Sequence, residues 1–175
     1  MSHGHHEDNK SLTGEHRIGD AGQLILALLF LTVWIADTFL FRMSTFLNAI
    51  VPALLRIPAG IVLLALSGYL SKTGLAIVFG EKREKPEVIR KGVFGRVRHP
   101  VYLGELLLYL ALLMFSLSLA AAGIMLLACL FLHFISRYEE KLLMRRFGGE
   151  YEAYMKDVPM WIPRLCPAPQ KKEAR

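Results

Sequence analysis

The run Arg98-His99-Pro100-Val101-Tyr102-Leu103-Gly104 sets a guanidinium, an imidazole and a phenol around one proline. Proline favours the first position of a helix and pushes the residue before it out of the helical region, so His99 is expected just outside a helix start. Free backbone N–H groups and the positive end of the helix dipole favour an anion there, and Arg98 and His99 add two more donors. A plainer reading makes Arg98 and His99 interfacial residues that touch lipid phosphates, and physics alone does not separate the two. Further on, His133, Arg137 and Glu140 recur at spacings of four and three, and Glu105 follows Tyr102 by three, so each set shares a helical stripe. Ionisable groups in or beside apolar spans cost free energy to hold and are functional candidates for that reason. Asp37 is read structurally instead, as a side chain reaching the membrane interface from the end of an apolar run. His3, His5 and His6 could hold a metal ion loosely but read as part of a solvated tail, and no metal site is expected. Cys129 and Cys166 form no C-x-x-C pair and no disulfide framework.

The elements that must position these groups follow from where the apolar residues lie. The 175 residues are 54% hydrophobic and 21% charged, with a net charge of +6. That excess over the ordinary apolar share of about 45–50% matters because it is gathered into long runs. Residues 1–20 form a polar tail with no secretory signal pattern, and Ala21–Phe41 is long enough to span. A second span is expected from Leu54 to Tyr69, running on as an interfacial helix through Leu75, Ile77 and Val78. Residues 46–56 could add a half-helix and raise the count to five. Glu81–His99 is a charged loop, and Val101–Leu117 and Leu119–Ser136 form a tight helical hairpin joined at Ser118. Leu143, Phe147, Tyr151, Tyr154 and Val158 then trace an amphipathic helix, broken at Gly148-Gly149, lying on the membrane or capping a site. The expected fold is therefore an all-α polytopic membrane bundle of four spanning helices with a C-terminal amphipathic segment. Its divisions are a tail (1–20), N-terminal spans (21–80), a loop-hairpin-cap region (81–165) and a second tail (166–175).

The basic charge follows the same map. With the N-terminus inside, every Lys and Arg except Arg42 and Arg56 falls on the cytoplasmic side, as the positive-inside rule requires. The charge thus reflects topology, with both termini cytoplasmic, and nucleic acid is not an expected partner.

Arg98-His99-Pro100-x-Tyr102-x-Gly104, then Glu139-Glu140, then Phe147-Gly148-x-Glu150-Tyr151-x-x-Tyr154-x-x-x-Val158-Pro159-x-x-Ile162-Pro163 resembles the C-terminal catalytic region of the isoprenylcysteine carboxyl methyltransferase family. The resemblance runs from Gly92 to Pro163; the first two helices match only in being apolar. It implies an integral membrane enzyme, here in a short prokaryotic form in the cell membrane. Such an enzyme moves a methyl group from S-adenosylmethionine to the carboxylate of a prenylated cysteine and leaves S-adenosylhomocysteine. Partners are then the bilayer and a lipophilic small molecule or prenylated peptide.

The chemistry of the residues is compatible. Ribose hydroxyls want a carboxylate acceptor, which Glu139 or Glu140 supplies, and the carboxylate of the cofactor wants the donors of Arg98 and His99. Tyr102, Leu103 and Val93 are placed to wall an adenine. An ionised acceptor carboxylate needs no general base, so alignment does most of the work. Arg137 is the candidate for holding that carboxylate, with Glu140 as its catalytic neighbour, against a plainer surface pair of Arg137 with Glu140 or Lys141. Membrane sterol reductases that use NADPH resemble this region too. Their Arg-Asp-Glu run, however, is replaced here by Arg137-Tyr138-Glu139, and the gap to Phe147-Gly148 is one residue longer. A phospholipid N-methyltransferase would share the cofactor, and a membrane scaffold with no chemistry would share the spans but leave the polar stripes of the hairpin unexplained. No strand followed by a glycine-rich loop and a helix is encoded, so the soluble nucleotide-binding sheet is not expected.

Overall fold

The structure, a computed structural model, describes residues 17–80 and 87–164. The tail histidines and Cys166 lie outside them. Five helices follow one another: α1 (Arg17–Ile35), extended by a π-helical turn at Ala36–Phe41, α2 (Ala53–Phe79), α3 (Pro100–Ser116), α4 (Leu119–Phe147) and α5 (Gly149–Asp157). No strand occurs among the described residues.

Three of these helical stretches are long and apolar enough to cross a membrane: Gly19–Phe41, Ala53–Phe79 and Leu119–Phe147. At about 1.5 Å per residue, the 17 residues of α3 reach about 25 Å, a little less than the hydrocarbon layer. Large apolar side chains such as Leu40, Leu54 and Phe134 are exposed on outward faces, where lipid rather than water would meet them.

Several expected boundaries move, each for a physical reason. The extra half-helix at residues 46–56 is not formed, because they hold only a one-turn 3-10 helix at Phe46–Ala49 before α2 begins. As expected, the second helix runs on past Tyr69: α2 is unbroken to Phe79 and tolerates Pro58 near its start, where one lost hydrogen bond is the main cost. The second hairpin helix does not stop at Ser136. Leaving the apolar layer does not end a helix, and Arg137–Phe147 is rich in strong helix formers until Gly148, whose φ of 54° and ψ of −128° only glycine adopts readily. The amphipathic stripe is therefore shared, with Leu143 and Phe147 on α4 and Tyr151 and Tyr154 on α5.

Helix α2 packs on α3, α3 on α4, and α1 on both helices of the hairpin. Small residues let α2 and α3 approach closely: Gly60, Ser67 and Gly74 are buried on α2, and Ser67 Oγ donates to the Gly104 carbonyl at 2.7 Å. A Cβ on Gly104 would collide with Ser71 Oγ, so the approach depends on that glycine. Phe30 stacks on Tyr109 at 4.3 Å in the core between α1 and α3. At the end of the bundle away from His99, Asp37 does not reach out to an interface. It is buried and accepts from Ser118 Oγ (2.6 Å), Ser44 N (3.0 Å) and Ser44 Oγ, which ties α1 to the hairpin tip.

Candidate functional site

Pro100 opens α3, and His99 sits just before it outside the helical region, as the proline dictates. The unbroken α4 carries Glu139 and Glu140 up to the same level. Glu140 is 3% exposed, and its Oε1 lies 3.3 Å from His99 Nε2 and 3.2 Å from Arg98 Nε. Glu139 Oε2 lies 3.8 Å from His99 Nδ1, and Glu139 Oε1 accepts from the Tyr102 hydroxyl at 2.5 Å. The His99 ring stacks on Tyr102 with centroids 5.7 Å apart. Five of the expected site residues, Arg98, His99, Tyr102, Glu139 and Glu140, thus form one cluster. Two carboxylates and one guanidinium this far from water hold one another in place, which a lone buried charge could not do.

Two adjoining cavities open onto the cluster. One of about 150 Å³ is walled by Val88, Phe94, Leu143, Phe147, Tyr151 and Tyr154, and the other, of about 460 Å³, by Asp20, Gln23, Leu75, Val78, Val101 and Tyr102. Arg98, His99, Phe94 and Glu139 line both. Their combined size falls within the range of about 300–1,000 Å³ usual for small-molecule sites. The terminal nitrogens of Arg98 make no hydrogen bond among the described residues, so donors remain for an anionic group.

The structure separates the other expected members. Val93 and Leu103 line a different, apolar cavity of about 350 Å³ with Leu66, Leu70, Val97 and Leu107. Val93 precedes Phe94 in a tight turn and Leu103 follows Tyr102 on a helix, so each is rotated by roughly 100–120° from a neighbour that faces the cluster. Phe94, Val78 and Tyr102 supply the flat and apolar walls instead. Arg137 is exposed on α4 and pairs with neither Glu140 nor Lys141 among the described residues. Glu105 stays deeper, accepting from Gln23 Nε2 of α1 at 2.5 Å and from the Tyr109 hydroxyl.

A lid closes the smaller cavity. Tyr154 of α5 donates to the Phe94 carbonyl at 2.8 Å, and Arg90 lies over the Tyr154 ring while donating to the Glu150 carbonyl at 2.6 Å. Burial pushes the phenols of Tyr151 and Tyr154 up, so both stay protonated across the physiological range. The chain beyond α5 is strapped to the His99 corner, since Arg98 N donates to the Pro159 carbonyl and Arg164 N to the Arg96 carbonyl, each at 3.0 Å. That strap brings in Trp161, whose ring lies 6.1 Å from His99.

Sequence reasoning passed over Trp161, Arg90, Asp20 and Gln23. Trp161 occupies an unassigned position between Pro159 and Ile162, and Arg90 is one cation among many in its loop. Gln23 did carry a signal, as a polar residue three positions after Asp20 in an otherwise apolar run.

No curated protein and no solved structure matches the chain. Residues 47–150, which include α2, α3, α4 and the whole Arg98–Glu140 cluster, match the model of the phospholipid methyltransferase family. The chain belongs to that family, a group of membrane methyltransferases.

Proposed function

We propose that this protein transfers the methyl group of S-adenosylmethionine to the carboxylate of a lipophilic, isoprenylcysteine-like acceptor drawn from the bilayer. The observation that carries the reading is the buried cluster of Arg98, His99, Tyr102, Glu139 and Glu140 opening onto cavities of about 150 and 460 Å³. Arg98 and the start of α3 would hold the carboxylate end of the donor, Glu139 its ribose, and Phe94 with Tyr102 its adenine. The chemistry supplied by that donor is an electrophilic sulfonium methyl. An ionised carboxylate attacks it without a base, so the protein's part is to align the acceptor and exclude water. Arg137, on the outward face of α4, would hold the acceptor carboxylate. The concentration of Lys and Arg in the segments around the hairpin's His99 end supports a cytoplasmic orientation for that end.

A second reading is N-methylation of a phospholipid amine. It is favoured by a cavity of about 300 Å³ between α1 and α3, where Asp20 and Glu105 face apolar Leu24, Leu31 and Leu108 and no cation is among the described lining residues. An ammonium head on an acyl chain suits that lining.

The test uses the purified chain in detergent micelles with tritiated S-adenosylmethionine and two acceptors, N-acetyl-S-farnesylcysteine and phosphatidylethanolamine. Base-labile label on the farnesylcysteine is the expected result. Label on the amine alone establishes the second reading, and label on neither overturns both.

A further inference from the structure

Trp161 touches two environments at once. Its ring lies beside His99 of the buried cluster, and its indole N–H donates to His133 Nδ1 on α4 at 3.3 Å. His133 is exposed, as are its neighbours Leu130 and Phe134. Arg137 follows one turn later on the same stripe. Neither His133 Nε2 nor the Arg137 guanidinium has a hydrogen-bond partner among the described residues. Polar donors without protein partners on a face this apolar cost free energy in a bilayer unless a ligand meets them.

The Trp161 bond also settles what His133 can offer. A neutral imidazole carries one proton, and a nitrogen that accepts from an indole N–H has no proton of its own. The proton of His133 is therefore on Nε2, and the face it shares with Arg137 presents donors only.

We infer that His133 is a specificity-determining residue that reads an anionic oxygen on the methyl acceptor. Trp161 is the positioning residue that fixes its tautomer. This deepens the methyl-transfer reading above and rests on it. The recognised chemistry is an oxyanion, which is either the acceptor's own carboxylate or the phosphate beside an acceptor amine. Trp161 couples that reading to the donor site, because the indole that orients His133 also walls the His99 ring.

The experiment compares wild type, His133→Leu, His133→Gln and Trp161→Phe as full chains in micelles. Readouts are S-adenosylmethionine affinity by calorimetry, KM and kcat with the farnesylcysteine and phosphatidylethanolamine acceptors, and ¹⁵N chemical shifts of the histidine ring nitrogens. His133→Leu should raise acceptor KM roughly 10- to 100-fold, the loss typical of a hydrogen bond to a charged group, with cofactor affinity unchanged. His133→Gln, which keeps an N–H donor, should restore most of the loss. Trp161→Phe should turn a single Nε2–H tautomer into a mixture and raise KM several-fold. Whichever acceptor shows the KM change identifies the oxyanion as carboxylate or phosphate. An unchanged KM in His133→Leu, equal damage in His133→Gln, or a tautomer unaffected by Trp161→Phe overturns the inference. If wild type takes up no S-adenosylmethionine, the methyl-transfer reading fails instead, and the tautomer measurement still decides the Trp161–His133 assignment.

Discussion

Replacing Glu140 with alanine removes the anion that holds Arg98 and His99 together. Both contacts of Glu140 Oε1 are near 3.2 Å, and the side chains of Glu140, His99 and Arg98 are 4%, 8% and 11% exposed. At an effective dielectric of about 20, a pair at that distance attracts by about 5 kcal/mol before desolvation is subtracted. Much of this offsets the cost of taking the charges out of water. Removing one partner, however, leaves the other buried and uncompensated, at a net cost of about 3–5 kcal/mol. That loss falls partly on folding and partly on the geometry proposed to receive the methyl donor, so affinity for S-adenosylmethionine should fall by at least 10-fold. Glu140→Gln, which keeps the shape, should lose less. Asp37→Ala is the control, because it breaks an equally buried network at the other end of the bundle: it should lower the unfolding temperature and leave cofactor affinity intact in the folded protein. Calorimetric titration and thermal unfolding in the same detergent read both quantities. Normal cofactor binding by Glu140→Ala, or equal losses in Glu140→Ala and Asp37→Ala, would refute the placement of the site.

Gly104→Ala should destabilise the protein by about 1–3 kcal/mol through overpacking, since its Cβ would collide with Ser71 Oγ and lie 3.2 Å from the Ser67 carbonyl; unfolding at the wild-type temperature would show that α2 and α3 are less tightly apposed. Tyr154→Phe removes the bond to the Phe94 carbonyl, worth about 1 kcal/mol, and should speed proteolysis or hydrogen exchange of α5 while α2 and α3 stay protected. The raised phenols of Tyr151 and Tyr154 set an alkaline limit. Their packing contributes fully below the unfolded phenol value of about 10 and is lost as pH rises through the folded values, so α5 should detach only in strong alkali. The Tyr151→Phe, Tyr154→Phe double variant should lose that pH dependence of near-ultraviolet dichroism, and an unaltered dependence would assign it to other groups.

The parts of this molecule legible in the sequence are those governed by short-range rules. Pro100 dictates where α3 starts and so where His99 stands, and Gly148 breaks the last amphipathic stripe because its backbone angles suit no other residue. Apolar run length marked the spans, but it marked membrane boundaries rather than helix ends, which is why α4 outran its expected limit at Ser136 by eleven residues of good helix formers. Side-chain direction was the weaker inference. Phe94 and Tyr102 face the cluster while their neighbours Val93 and Leu103 face another cavity, a difference of one step in a turn. Long-range partners were out of reach: nothing local tells that Trp161 will meet His133, or that Gln23 will donate to Glu105 across eighty-two positions.

The central claim is that the Arg98–His99–Glu139–Glu140 cluster receives the methyl donor. Isothermal titration of the purified wild-type chain with S-adenosylmethionine and, separately, with NADPH tests it most directly. Saturable binding of S-adenosylmethionine at one site per chain and no uptake of NADPH is the result expected; saturable NADPH binding, or no binding of S-adenosylmethionine, would contradict it.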